Sequence, residues 1–127
     1  MLKGFTHARL ACGCRLAFRE GTGGSPVTVL IEYRALPGEA ERAIARLEQL
    51  IGTVVREEPD CFGIRLLQDA EDPERLLLDE QWSSREAYLG PHLQTAHLLE
   101  FIATARSLFA GPPVIQFWRE RSTHSRA

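Results

Sequence analysis

Between Pro37 and Pro59, the apolar residues Ala43, Ile44, Leu47, Leu50, Ile51, Val54 and Val55 recur at intervals of three and four. That spacing gathers them on one side of an α-helix, with charged residues on the other, so the segment needs an apolar surface to lie on. Pro37 suits the opening of such a helix, Glu39 and Glu41 suit the positive end of its dipole, and Pro59 marks its stop. A long amphipathic helix held at both ends by proline narrows the possible folds more than any other feature of the chain.

The flanking segments offer that surface. "VTVLIEYRA" before the helix is β-branched and apolar over one strand length, with Val27, Val29, Ile31 and Tyr33 on one face. "CFGIRLLQD" and "ERLLLDEQW" after it read as two strands joined by the polar turn "AEDP", hence an antiparallel hairpin. Ser83, three residues before Glu86, predicts the start of a short helix, which Gly90-Pro91 interrupts. Thr95 is placed to cap a further helix with an apolar stripe through Leu98, Phe101, Ile102, Ala105, Leu108 and Phe109. Gly111-Pro112-Pro113 ends that helix and "VIQFW" forms a last strand.

The resulting order, β-α-β-β-α-β, is the split arrangement of ferredoxin-like α+β folds, a single antiparallel sheet with helices on one face. Apolar residues on both faces of the strands leave one face without a second layer. That open face is expected to carry Val27, Ile31 and apolar residues of the third and fourth strands, and a second copy of the chain to cover it in a homodimeric barrel. Residues 1–25 end in "GTGGS" and read as an extension with a glycine-rich joint, residues 26–120 as the domain, and residues 121–127 as a polar tail.

At 127 residues the chain has the length of one ordinary domain. A formal net charge of -2 provides no basic field for a phosphate backbone or an acidic membrane surface, so neither nucleic acid nor membrane is an expected partner. Three cysteines, Cys12, Cys14 and Cys61, cannot form a closed disulfide framework, and Cys12-Gly-Cys14 has one residue where zinc hairpins have two to four. The start lacks the apolar core of a signal peptide and no segment approaches the length of a membrane span. These features predict a cytoplasmic protein without a bound metal. No phosphate-binding glycine loop, dinucleotide fingerprint or Ser-His-Asp order is visible, so kinase, dehydrogenase and hydrolase chemistries have no support.

"LGPHLQTAHLLEF" contains two of the four histidines, His92 and His97, five positions apart. On one continuous helix their rings would point about 140° apart, too far to share a metal. A break near Gln94-Thr95 would let them converge, although no third ligand stands nearby in sequence. Taken alone, the pair is as compatible with packing and capping as with chemistry. Glu80 and Trp82 share a strand face: either Glu80 orients a reacting group and Trp82 walls a pocket, or Glu80 pairs with Arg34 or Arg65 and Trp82 fills the core. Tyr33 either reaches a substrate oxygen or packs with its hydroxyl at the rim, and Phe62, Phe101, Phe109 and Phe117 either line a pocket or fill the core. Cys61 reads as a small buried hydrophobe.

"PGEAERAIARLEQL", "REEPDCFGIRLLQD" at the place of a family Glu-x-Gly-Cys motif, "LDEQWSSREAYLGPHLQTAH" and "GPPVIQFW" together resemble the antibiotic biosynthesis monooxygenase family of the dimeric α/β-barrel superfamily over about residues 27–118. Within it the "EQW…HLQTxH" segment is similar to the quinol monooxygenase and autoinducer-processing subgroup, with Asp60 and Ala96 where that group has glycine and proline. The resemblance implies oxidation of a small aromatic or quinol-like substrate by dioxygen, with no metal, flavin or nicotinamide. A related branch degrades haem with an Asn, Trp and His set. Here Tyr33 stands at the asparagine position and residues 86–97 hold no tryptophan, so haem is not expected.

Both histidines match positions that recur in the family. His92 is therefore expected as the general base, with Glu80 beside it as the second catalytic group; His97, Trp82, Tyr33 and Phe101 are expected around the substrate. Two other functions fit the same residues: an isomerase in which His92 moves a proton next to a carbonyl, and a non-catalytic dimer that binds a hydrophobic ligand.

Overall fold

The structure, a computed structural model, describes residues 5–9, 15–19 and 25–126. Phe5–Arg9 (β1) and Arg15–Arg19 (β2) pair antiparallel as a two-stranded sheet of their own. Cys12, Cys14 and the first four residues of "GTGGS" lie outside the described residues.

The second sheet has four antiparallel strands, Val27–Arg34 (β3), Cys61–Gln68 (β4), Arg75–Trp82 (β5) and Val114–Trp118 (β6), in the order β4-β5-β3-β6. With Ala40–Glu57 (α1) between β3 and β4, and Arg85–Leu89 (α2) and Ala96–Thr104 (α3) between β5 and β6, this is the ferredoxin-like α+β fold. Register follows the period of two. Val29 lies opposite Glu80 on one side and Phe117 on the other, and Ile31 opposite Leu78 and Ile115. These residues point at the helices, where α1 adds Leu47, Leu50 and Val54 and α3 adds Leu98 and Phe101 to one core.

Several local expectations shift. α1 starts at Ala40, three residues after Pro37, because Gly38 takes a left-handed turn (φ 80°) and donates its amide to the Glu74 carboxylate. The hydroxyl that caps α2 belongs to Ser84, which accepts the Ala87 amide; Ser83 instead bonds Asp60 at 2.6 Å and so ties the end of β5 to the loop before β4. Thr95 does cap α3 through the Leu98 amide. The helix stops at Thr104, five residues short of the end of its apolar stripe, because the chain there turns to meet the end of β3. Leu36 donates to Leu108, Ala110 donates to Arg34, and Phe109 bridges Ala35.

The open face of the sheet is the other one from that expected. Val27 and Ile31 belong to the helix-covered side, with Val27 partly buried against the core. The uncovered side carries Thr28, Leu30 and Glu32 of β3, Leu77 and Asp79 of β5, and the exposed Leu67, Val114 and Trp118 of the edge strands. Strands with apolar residues on both faces do not announce which face the helices will choose. Here the bulkier set, ending in Tyr33 and Trp82, went inward.

Candidate functional site

Pro59 ends α1 and turns the preceding residue, Glu58, out of the helix into extended backbone, where its amide still closes the last turn on Val54. From there the carboxylate reaches two elements distant in sequence. Gly90 closes α2, a 3-10 turn over His92–Gln94 follows, and Thr95 opens α3. This break brings the two imidazoles together, as a continuous helix would not. His92 Nδ1 lies 3.0 Å from both Glu58 oxygens, and His97 Nε2 lies 2.5 Å from Oε2. Glu58 was not singled out by the sequence, although it is the glutamate of "EPDC", where the family motif begins.

Burial pushes the Glu58 carboxyl up, but the hydrogen bonds from His92 and His97 outweigh it, and the group titrates below its ordinary range. An ionised carboxylate only accepts, so the two ring nitrogens facing it carry the protons. Neutral His92 therefore keeps its lone pair on Nε2, and neutral His97 on Nδ1.

His92 is buried, with its ring against Trp82 (centroids 4.6 Å apart) and Tyr88 (4.9 Å). Trp82 in turn donates its indole N–H to Glu80 at 2.8 Å. Neither arginine considered from the sequence reaches Glu80, since Arg34 pairs with Asp72 and Arg65 with Asp79. The Glu80 carboxyl is 4% exposed and is pushed up to about 7, chiefly by burial, against the Trp82 hydrogen bond and with the repulsion of Glu58 and Asp79. Nearby Cys61 is buried, and burial followed by the Glu80 charge raises its thiol to about 12, which removes it as a nucleophile at neutral pH. Among the described residues, no group of three or more His, Cys, Asp or Glu side chains is arranged to hold a metal ion.

A cavity of about 630 Å³ lies on the other side of Tyr88, between the inner face of β3 and β6 and the segment from α3 to Pro113. Its size is that of a small-molecule site. Tyr33, Phe101 and Phe109 form one aromatic wall, with Tyr33 edge-on to Phe101 at 6.2 Å and 4.8 Å from Phe109. Tyr88 supplies the inner end, while the exposed Arg106, Gly111 and Pro112 mark the mouth. Gly111 takes φ 86°, which turns the chain from the helical layer toward β6.

The expected site residues thus fall into two compartments. Tyr33 and Phe101 line the cavity. His92, His97, Glu80 and Trp82 form a polar cluster around Glu58 and Cys61 and are not part of the cavity lining. Tyr88, which the sequence reading passed over, belongs to both: it lines the cavity, lies tilted over His92 and meets Trp82 edge-on.

The architecture places the chain among ferredoxin-like α+β proteins, and comparison narrows the class. The sequence profile of the antibiotic biosynthesis monooxygenase family matches residues 26–104, more than half of the chain, and the chain belongs to that family. Among solved structures it is similar to Rv0793 of Mycobacterium tuberculosis, 28% identical over 80% of this chain and 100% of that one, with a TM-score of 0.67. PA3566 of Pseudomonas aeruginosa is likewise 28% identical over 80% of this chain and 100% of that one, with a TM-score of 0.69. A Nitrosomonas europaea protein, 22% identical over 78% of this chain and 93% of that one, shares the fold with a TM-score of 0.70. No curated protein sequence matches the chain. No helix among the described residues is long and apolar enough to cross a membrane.

Proposed function

We propose that this protein is a monooxygenase that works without a bound cofactor and oxidises a small phenol or hydroquinone in the cavity behind Tyr88. The observation that carries this reading is the cavity itself: apolar, walled by aromatic rings, and separated from a carboxylate-held histidine by a single ring. An electron-rich phenol fits such walls edge-on or stacked, and dioxygen, itself apolar, enters the same space.

The substrate supplies all the electrons. In a phenol with a free para position that C–H becomes a carbonyl and the hydroxyl the second; in a hydroquinone both hydroxyls become carbonyls and a neighbouring C–H becomes C–OH. In either case one oxygen atom of dioxygen stays in the product and the other leaves as water. Four electrons leave the ring and four enter dioxygen. The step requires that the phenol first lose its proton. Glu58 fixes the His92 tautomer with Nε2 unprotonated, and a rotation of the Tyr88 ring would let the substrate hydroxyl meet that nitrogen. In this reading Tyr33, Tyr88 and Phe101 touch substrate, His92 takes the proton, and Glu58 orients His92. Glu80, Trp82 and His97 hold that arrangement from behind.

A homodimer belongs to the same proposal. Leu67, Val114 and Trp118 stand exposed on the uncovered sheet face, Trp118 at 53%, and a second copy laid on that face would bury them.

An oxygen electrode with a series of hydroquinones tests the activity, and labelled dioxygen tests the fate of the oxygen atoms. The expected result is uptake with one labelled atom in the oxidised product, reduced by about 100-fold or more in His92→Ala. Proton exchange into a carbonyl substrate without oxygen uptake would replace this function by an isomerase. Tight binding with neither reaction would leave a ligand-binding protein.

A further inference from the structure

Arg106 is the one charged side chain among those lining the cavity. The other arginines of residues 26–118 have partners: Arg34, Arg42, Arg56, Arg65 and Arg75 meet carboxylates, Arg46 holds Glu100 and Thr104, and Arg85 lies over the Phe117 ring, while Arg119, Arg121 and Arg126 follow the last strand and line no part of the cavity. Arg106 has no ion pair, hydrogen bond or ring contact among the described residues. An unpaired guanidinium at the lip of an apolar cavity is a ready partner for an anionic group on whatever enters.

The position of Arg106 determines where that anion sits. Tyr88, at the inner end, is buried, whereas Arg106 shares the mouth with the exposed Gly111 and Pro112. A carboxylate carried to the inner end would lose its water among aromatic and aliphatic side chains, at a large desolvation cost. At the mouth it keeps part of its hydration and meets five guanidinium donors in a planar fork. The cavity is therefore bipolar: aromatic and nearly uncharged inside, cationic at the opening.

We infer that the substrate is an aromatic acid, with its ring among Tyr33, Phe101 and Phe109, a hydroxyl toward Tyr88, and a carboxylate held by Arg106. This rests on the cavity being the substrate site, and it adds a selectivity that a simple hydroquinone would not use.

Two probes of nearly the same shape separate the charge from the ring: 2,5-dihydroxybenzoate and its methyl ester. Titration calorimetry on the full chain should give a Kd about fivefold lower for the acid than for the ester, the size of a good exposed ion pair. The gap should close in Arg106→Gln, persist in part in Arg106→Lys, and shrink as salt rises from about 50 to 500 mM. Circular dichroism on both variants checks that they are folded. An ester that binds the wild type as tightly as the acid would overturn the inference, as would a gap that survives in Arg106→Gln. Oxygen uptake separates this failure from failure of the parent reading. If both probes are oxidised equally well, the monooxygenase stands and the carboxylate preference falls; if neither probe binds, the cavity is not an aromatic site and both fall.

Discussion

Replacing Glu80 by glutamine should shift the balance of stability between variant and wild type steadily in favour of the variant as pH rises. In the folded state the carboxyl titrates at about 7, against an ordinary value of 4.5. Between these values the folded chain holds a proton that the unfolded chain has released, so stability falls by about 1.4 kcal/mol for each pH unit climbed. Over the whole interval the loss is about 3 kcal/mol, a sizeable part of the stability of a domain this long. Glutamine never ionises and keeps an oxygen to accept the Trp82 N–H, so the variant escapes that loss. Its new NH2 group enters a buried site and costs about 1 to 3 kcal/mol if unpaired, but that cost is the same at every pH. The quantity to measure is thus the difference in unfolding free energy between variant and wild type, from urea titrations at several pH values between 5 and 8. It should move in favour of Glu80→Gln by about 2 to 3 kcal/mol as pH rises through that range. A difference that stays flat would mean that Glu80 is ionised in the folded chain throughout, as it is in the unfolded one, and that burial beside Glu58 does not raise it.

Glu58→Ala removes the acceptor shared by His92 and His97 and should cost about 2 to 4 kcal/mol, read as a melting temperature lower by about 10 °C. Because the Glu58 carboxyl titrates below its ordinary 4.5, its stabilisation is complete above that value and is lost as pH falls through the lower folded value; acid unfolding should therefore be less steep in the variant. Trp118→Glu puts a charge on the uncovered sheet face, and sedimentation at micromolar concentration should turn from dimer to monomer with the fold unchanged by circular dichroism; a wild-type monomer would remove the proposed dimer altogether. Deleting residues 1–24 should shift the melting temperature little, since β1 and β2 pair with each other and not with the four-stranded sheet, whereas aggregation of the truncated chain would make the extension part of the domain.

The strands and helices of residues 26–118 were legible because burial imposes a period: two in β3 and β5, three to four in α1. The misread features are those where sequence supplies two equivalent answers. Ser83 and Ser84 can both cap a helix, and only the loop before β4, which claims the Ser83 hydroxyl through Asp60, decides between them. β3 offers Val27, Val29 and Ile31 on one face and Leu30 on the other, and a pattern apolar on both sides does not say which side meets the helices. The α3 stripe continues to Phe109, yet pairing between the end of β3 and residues 108–110 outweighs another turn of helix. In each case the deciding contact comes from an element more than twenty positions away, or from a neighbour competing for the same hydrogen bond.

The same limit explains the site. His92 and His97 stand out because they are two of four histidines beside a glycine-proline break, but their partner lies 34 and 39 positions upstream. There Glu58 sits in a run with Glu57 and Asp60 that reads as a solvated helix end. What distinguishes Glu58 is Pro59, which ends the helix before it and turns Glu58 into extended backbone, so that its carboxylate leaves the solvent side. The irregular segment around His92 does not leave its ring accessible. At 4% exposure, between Trp82 and Tyr88, the ring instead fills space, so His92→Ala leaves a void and an unpaired Glu58 oxygen. Lost activity in that variant must therefore be judged on folded protein only. Tyr88→Ala gives the sharper contrast, because it opens the wall between the two compartments. If the proton must pass that wall, Tyr88→Ala weakens substrate packing yet leaves His92 reachable, and the rate at saturating substrate should fall by less than in His92→Ala. An equal fall in both would mean that Tyr88, and not the imidazole behind it, is the group that meets the substrate proton.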